Sequence, residues 1–137
     1  MDPQTQQRLS WLYDQALGCA ERVQQALGPG MPDHAYQQCL ALELQALPLA
    51  VQCDVPVPLV FRGTEVPRAI VVPLVVDGRM VISIATEERI NAPLDARMQA
   101  LLRATGLPMG VIANFGQPAI RAGWRRIWNP NPRLDPA

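Results

Sequence analysis

Residues 66–86 read VPRAIVVPLVVDGRMVISIAT, two β-branched runs separated by Asp77 and Gly78. Valine and isoleucine are stiff at χ1 and favour strands, and an Asp-Gly pair between two such runs is a strong hairpin signal because both residues tolerate the positive φ of a tight turn. The pattern predicts strands over 66–76 and 79–86. Neither run alternates with polar residues, which predicts a sheet covered on both faces. Pro73 brings no backbone donor to the middle of the first run and is expected to force a bulge or an edge there.

Upstream, Leu9, Leu12, Ala16, Leu17, Ala20, Val23 and Leu27 recur at three and four, predicting an amphipathic helix over Thr5–Leu27 that stops at Gly28, Pro29 and Gly30. A second helix is expected from about Pro32 to Leu47, with Tyr36, Leu40, Leu44 and Leu47 inward and Asp33 in its first turn, where a carboxylate suits the helix dipole. Val55, Val57, Leu59 and Phe61 alternate with Pro56, Pro58, Val60 and Arg62, so this strand belongs at or near an edge. Downstream, Asn91 caps a third helix with Pro93 in its first turn and Leu94, Met98, Leu101 and Leu102 as its stripe, ended by Gly106 and Pro108. Met109–Ala113 reads as a short buried strand and Arg121–Trp128 as a last strand, with Trp124, Arg126 and Trp128 on one side. With no repeat and no internal boundary, residues 1–137 read as one α/β (α+β) domain, a mixed central sheet flanked by helices. Its core spans about 5–128, and the Pro-rich residues 129–137 form an extended tail.

A chain of 137 residues, 49% hydrophobic and 18% charged, is too apolar to stay unfolded and large enough for a real core. All 12 of its basic residues are arginine, against 12 acidic ones, so the formal charge is zero. Without lysine, Schiff-base catalysis and a P-loop ammonium are excluded. Neutrality removes the long-range field of a non-specific nucleic-acid binder and eases self-association. Cys19, Cys39 and Cys53 match neither a disulfide framework nor a CxxC half-site, and are expected to be reduced and mostly buried. His34 is the lone histidine, which rules out a His-rich metal site, and Ser10 and Ser83 stand outside any G-x-S-x-G elbow. No cofactor is expected. Met1–Ser10 lacks the features of a leader and no apolar run approaches a membrane span, pointing to a cytoplasmic protein with no membrane partner.

Several spaced strings carry a resemblance. Leu27, Gly28, Pro29 and Gly30 precede Tyr36; Val55, Pro56, Val57 and Pro58 precede Gly63; and Thr105, Gly106, Leu107 and Pro108 lead through Gly110 and Ile112 to Asn114, Phe115 and Gly116. Over Leu9–Asn129 the chain resembles the GxxExxY family, small bacterial proteins with a PD-(D/E)XK nuclease-like fold. The resemblance implies that fold and aligns the family's active site onto this sequence. The motif glutamate falls on Asp33, the hairpin aspartate on Pro73, the glutamate on Ser83 and the lysine on Ala85. A helical glutamine and tyrosine fall on Arg97 and Leu101. Magnesium needs oxygen ligands anchored by carboxylates, and phosphodiester cleavage needs the charge of that ion, so the substitutions predict lost catalysis and no metal site. Glu87 and Glu88 could supply displaced carboxylates, but read as solvated charge at a strand end.

Arg121, Trp124, Arg125, Arg126 and Trp128 suit a surface on which guanidinium groups meet phosphate and indoles stack on bases, or equally a protein interface rich in Trp and Arg. The sequence therefore reads as a catalytically inactive nuclease-fold protein that acts as a binding or self-assembling homo-oligomeric scaffold, with Val71, Val72, Trp124 and Trp128 near expected sheet edges. The alternative is a non-catalytic nucleic-acid-binding module using Arg97, Arg103 and Arg121–Arg126. A third reading, a residual metal-dependent nuclease with relocated ligands, predicts cleavage that Asp33→Ala abolishes.

Overall fold

The computed structural model describes residues 1–88 and 92–133. Its elements run α1 (Pro3–Leu27), α2 (Asp33–Gln45), β1 (Val51–Phe61), β2 (Thr64–Val76), β3 (Met80–Ala85), α3 (Ala92–Thr105), β4 (Met109–Asn114) and β5 (Trp124–Trp128), with a 3-10 turn at Ile120–Gly123. The strands form one sheet in the order β1-β2-β3-β4-β5, in which β3 and β4 are parallel and the other neighbours antiparallel. The parallel pair requires a crossover, and α3 supplies it. Leu9, Leu12, Leu40 and Leu44 of α1 and α2 pack with Leu74, Ile82 and Val111 on one face, while Met98 and Leu102 of α3 pack with Val75, Val81 and Ile112 on the other. The sheet is thus mixed, an α+β arrangement, and covered on both faces over β3, β4 and the Val72–Val76 part of β2, though not over the outer β1–β2 hairpin. No described helix is long and apolar enough to cross a membrane.

α1 begins two residues before the expected Thr5, because Asp2 caps it: its carboxylate accepts the Thr5 N–H at 2.7 Å and Pro3 takes the first helical position. Pro32 is the N-cap of α2 instead of a first-turn residue, and Leu47 lies past the helix end, half-buried. The expected Asn91 cap lies outside the described residues. The last strand starts at Trp124 and not at Arg121. The side chain of Gln24 on α1 donates to Gln117 O (2.9 Å) and accepts from Ile120 N–H (2.7 Å), holding that segment against α1 before it can pair with β4.

Two hairpins build the first three strands. Asp77 and Gly78 have φ of 57° and 61°, as their sequence predicts, and Arg62 and Gly63, at 51° and 78°, close a second tight turn between Phe61 and Thr64. Pro73 does not bulge, since Cys53 pairs with Leu74 and Val55 with Val72 in unbroken register, but the β2–β3 pairing stops at Leu74, so Pro73 stands at an edge as expected. What changes at Pro73 is the face. Side chains two apart in a strand normally share a face, yet Leu74 packs in the α1/α2 layer and Val72 in the α3 layer. β1 makes the same switch at Asp54 (φ 52°), with Cys53 in the first layer and Val55 in the second. Gln37 of α2 reaches this point, its amide donating to Asp54 Oδ1 (3.0 Å) and to Pro73 O (3.2 Å). The irregularity in register lies farther out, where Pro58 alone opposes Pro67, Arg68 and Ala69 and Arg68 has φ 55°.

The sheet edges are β1, as expected from Pro56 and Pro58, and β5. Val72, in the part of β2 that β3 does not pair, and Trp124, on edge strand β5, lie near edges as expected, yet both are buried, at 0% and 7% exposure, because the face switch turns Val72 toward α3 and α1 covers Trp124. The start of the C-terminal segment is not loose either. Asn129 donates to Leu102 O (3.1 Å) and Leu107 O (2.9 Å), and Arg133 N–H donates to Gly106 O (2.8 Å), so residues 129–133 close the C-terminal end of α3.

Candidate functional site

The β2–β3 hairpin and α3 flank an open cleft of about 440 Å³. Its walls are Ala69, Ile70, Val71, Pro73, Ile84, Ala100 and Leu101, and its polar groups are Ser83 and Arg97. Four positions aligned by the resemblance, Pro73, Ser83, Arg97 and Leu101, therefore meet around one space. Ala85 lies two residues beyond Ser83 on the same strand face, buried in the α3 layer, and does not line it. Asp33 stands apart at the start of α2, where its carboxylate accepts the Thr86 hydroxyl at 2.7 Å. The lining holds no carboxylate, and no cluster of three or more His, Cys, Asp or Glu suited to a metal occurs among the described residues. The donor set does not fit magnesium: Pro73 and Ala85 offer no ligating side-chain atom, Ser83 a neutral hydroxyl and Arg97 a positive charge. Glu87 and Glu88 are exposed past the end of β3.

Ser83 is 9% exposed and its hydroxyl has no hydrogen-bond partner among the described residues. Arg97 is exposed on α3, also without an ion pair or hydrogen bond among them. Most other arginines are engaged. Arg8 and Arg79 pair with Asp77, Arg22 with Glu43, Arg121 with Glu21 and Arg125 with Asp95.

The Gly30, Asp33, Tyr36 motif builds structure. The Tyr36 hydroxyl donates to Gly28 O at 2.5 Å and accepts the Met31 N–H at 3.4 Å, fixing the α1–α2 turn, and its ring stacks on Phe115 at 4.3 Å and 6°. Asn114, fully buried at the end of β4, accepts from Glu87 N–H (2.9 Å) and Gly116 N–H (3.0 Å). A Cβ on Gly116 would lie 2.3 Å from Glu87 O, so the two loops meet backbone to backbone there. Gln37, Asn114 and Asn129 were not singled out as organising residues by the sequence. Their signal is a polar amide within or beside an apolar pattern, and their partners are distant in the chain.

The C-terminal basic and aromatic cluster is largely used up within the fold. Trp124 is buried edge-on to Tyr13 (6.2 Å between centroids), and Arg126 sits over Tyr13 at 4.8 Å and Trp128 at 4.9 Å. With Arg121 and Arg125 in ion pairs, Trp128, 45% exposed, is the member that offers an open apolar surface. Trp124, Arg126 and Trp128 share a face as expected, but the arginines do not form a free cationic strip. His34 is exposed. The three cysteines are free, but only Cys19 is buried; Cys39 and Cys53 are half-buried because they lie at the margin of the α1/α2 layer. Burial pushes the Cys19 thiol up, opposed by Arg22, whose guanidinium approaches its sulfur at 3.3 Å.

A different surface is conspicuously apolar. Leu59, Val60, Phe61, Val66 and Val71 are exposed together on the outer part of the β1–β2 hairpin, Val60 at 73% and Phe61 at 65%. Successive residues of a strand point to opposite faces, so neither face of this arm is covered.

The family model of the PD-(D/E)XK nuclease superfamily matches residues 10–127, from within α1 to within β5 and most of the chain. No curated protein and no solved structure matches.

Proposed function

We propose that this chain, which belongs to the PD-(D/E)XK nuclease superfamily, is a catalytically inactive member that works by binding, with a second copy of itself as its partner. The observation that carries the reading is the lining of the cavity between β2, β3 and α3. Proline, serine and arginine stand at Pro73, Ser83 and Arg97, and no carboxylate faces the space. Phosphoryl transfer in such a site depends on metal charge held by carboxylates. Placement within the GxxExxY group is supported by Gly30, Asp33 and Tyr36 and by the Asn114, Phe115, Gly116 run, whose contacts tie the turn after α1 to the end of β4.

Self-association is supported by the bare arm. A two-stranded ribbon is marginal in water on its own, and apolar residues on both faces make it a contact surface. Arg62, Glu65 and Arg68 place both charge signs on the arm, which lets opposite charges meet across a self-complementary contact, and the neutral chain imposes no net repulsion between copies. The nucleic-acid reading loses support from the pairing of Arg121 and Arg125 with acidic residues.

Two measurements test the proposal together. Light scattering after size exclusion, over a concentration series, is expected to give a dimer or larger species. Incubation with single- and double-stranded DNA and magnesium or manganese is expected to leave the DNA intact. A monomer throughout the series removes the partner assignment. Metal-dependent cleavage that Asp33→Ala abolishes replaces the whole reading with a relocated active site.

A further inference from the structure

The cavity is shaped for something other than a polyanion. About 440 Å³ is within the range of small-molecule sites, which are mostly apolar with a few placed polar groups. Here the polar groups are Ser83, whose hydroxyl has no partner among the described residues, and Arg97, a cation with none either. Among the described arginines, only Arg68, Arg97 and Arg103 have no ion pair, hydrogen bond or ring contact, and of these Arg97 alone lines the cleft. One guanidinium neutralises one negative charge, and its planar fork matches a carboxylate in two parallel hydrogen bonds. The rest of the lining, Ile70, Val71 and Leu101 included, offers no second cation, so a second negative charge would find no ionic partner in the cleft.

We propose that this cavity binds a small organic monoanion, a carboxylate on an apolar body. Arg97 pairs with the carboxylate, Ser83 donates to it, and the body lies along Ile70, Val71, Pro73 and Leu101. The inference rests on the reading that the cleft no longer cleaves phosphodiesters, since a metal-loaded site would repel neither phosphate nor water.

The test is calorimetric titration and thermal unfolding of the full chain with octanoate, with 1-octanol and with inorganic phosphate. Octanoate is expected to bind and to raise the melting temperature, while octanol and phosphate bind at least about tenfold more weakly, the factor that corresponds to one charge-assisted contact. Arg97→Gln, at an exposed helical position, is expected to fold normally and to weaken octanoate by about tenfold. Ser83→Ala should weaken it less. No heat and no thermal shift with octanoate overturns the proposal, as does equal binding by Arg97→Gln or by phosphate. Metal-dependent DNA cleavage in a parallel incubation would instead overturn the proposed function itself, so the two failures are distinguishable.

Discussion

A single side chain, Gln37, bridges the point where β1 and β2 both switch face. Pro73 offers a carbonyl and no donor, Asp54 opposite it adopts a left-handed φ, and the Gln37 amide bonds to both. Gln37→Leu keeps the size but leaves the Asp54 carboxylate and the Pro73 carbonyl without that donor. The expected loss is about 0.5–1.5 kcal/mol in urea unfolding, the range for a hydrogen bond whose remaining partners can reach water. An unchanged midpoint would mean that the face switch is held by packing alone. Asp77 is a second such residue. Its hydrogen bond with Arg8, reinforced by the charges of Arg8 and Arg79, holds its carboxyl below the usual carboxylate range against the opposing effect of burial. A lowered folded-state value means that the stabilisation is fully present above the unfolded value and disappears as pH falls through the lowered one. Asp77→Asn retains a residue suited to positive φ, so near neutral pH it should lose about 1 kcal/mol or less, because both arginines are well solvated and the pairs are screened. Thermal unfolding should show the gap between variant and parent closing as pH drops below about 4. A gap that persists in acid would assign the effect to the turn and not to the charge. The sequence marks Asp77 plainly as a turn residue. It does not mark its partnership with Arg8, 69 residues away.

Elements were legible where their own residues decide them. The apolar spacing of α1, the Asp-Gly turn and the double-proline edge of β1 each rest on local chemistry, and each is found. The errors have nonlocal causes: Gln24 delays the start of β5, and the switch at Asp54 and Pro73 moves Val72 into the core. For the candidate site, the hairpin alignment placed Pro73 and Ser83 around the cavity that α3 closes, but the separation of Asp33 depends on how α2 crosses the sheet, which no local pattern contains. The end of α3 shows the same limit. Gly106 and Pro108 announce the stop, whereas closure by Asn129 depends on a segment reached only after β5. That closure is testable. Asn129→Ala frees Leu102 O and Leu107 O from side-chain donors and is expected to destabilise by about 1–2 kcal/mol. Amide exchange should rise over the last turn of α3 and little elsewhere. Uniform acceleration would instead mean that this segment unfolds only with the whole domain.

For the molecule as a whole, the balance of buried and bare surface separates a folded body from an arm. Helices cover both faces over β3 and β4, while the outer hairpin has apolar residues on either side and no layer against it. Because Val60 and Phe61 are adjacent in β1, their side chains project to opposite faces and report on each face separately. Both are exposed in the single chain, so Val60→Lys and Phe61→Lys should change the stability of the isolated chain by no more than about 0.5 kcal/mol. Their effect on assembly should be larger, since each brings a charge into a contact that buries it. Sedimentation equilibrium is expected to show self-association weakened by at least about tenfold for whichever substitution lies on the contacting face, and nearly unchanged for the other. Weakening by both would mean that the arm is enclosed by its partner. If neither weakens assembly, the contact lies elsewhere, and the exposed Trp128 on the opposite sheet edge becomes the surface that two copies share.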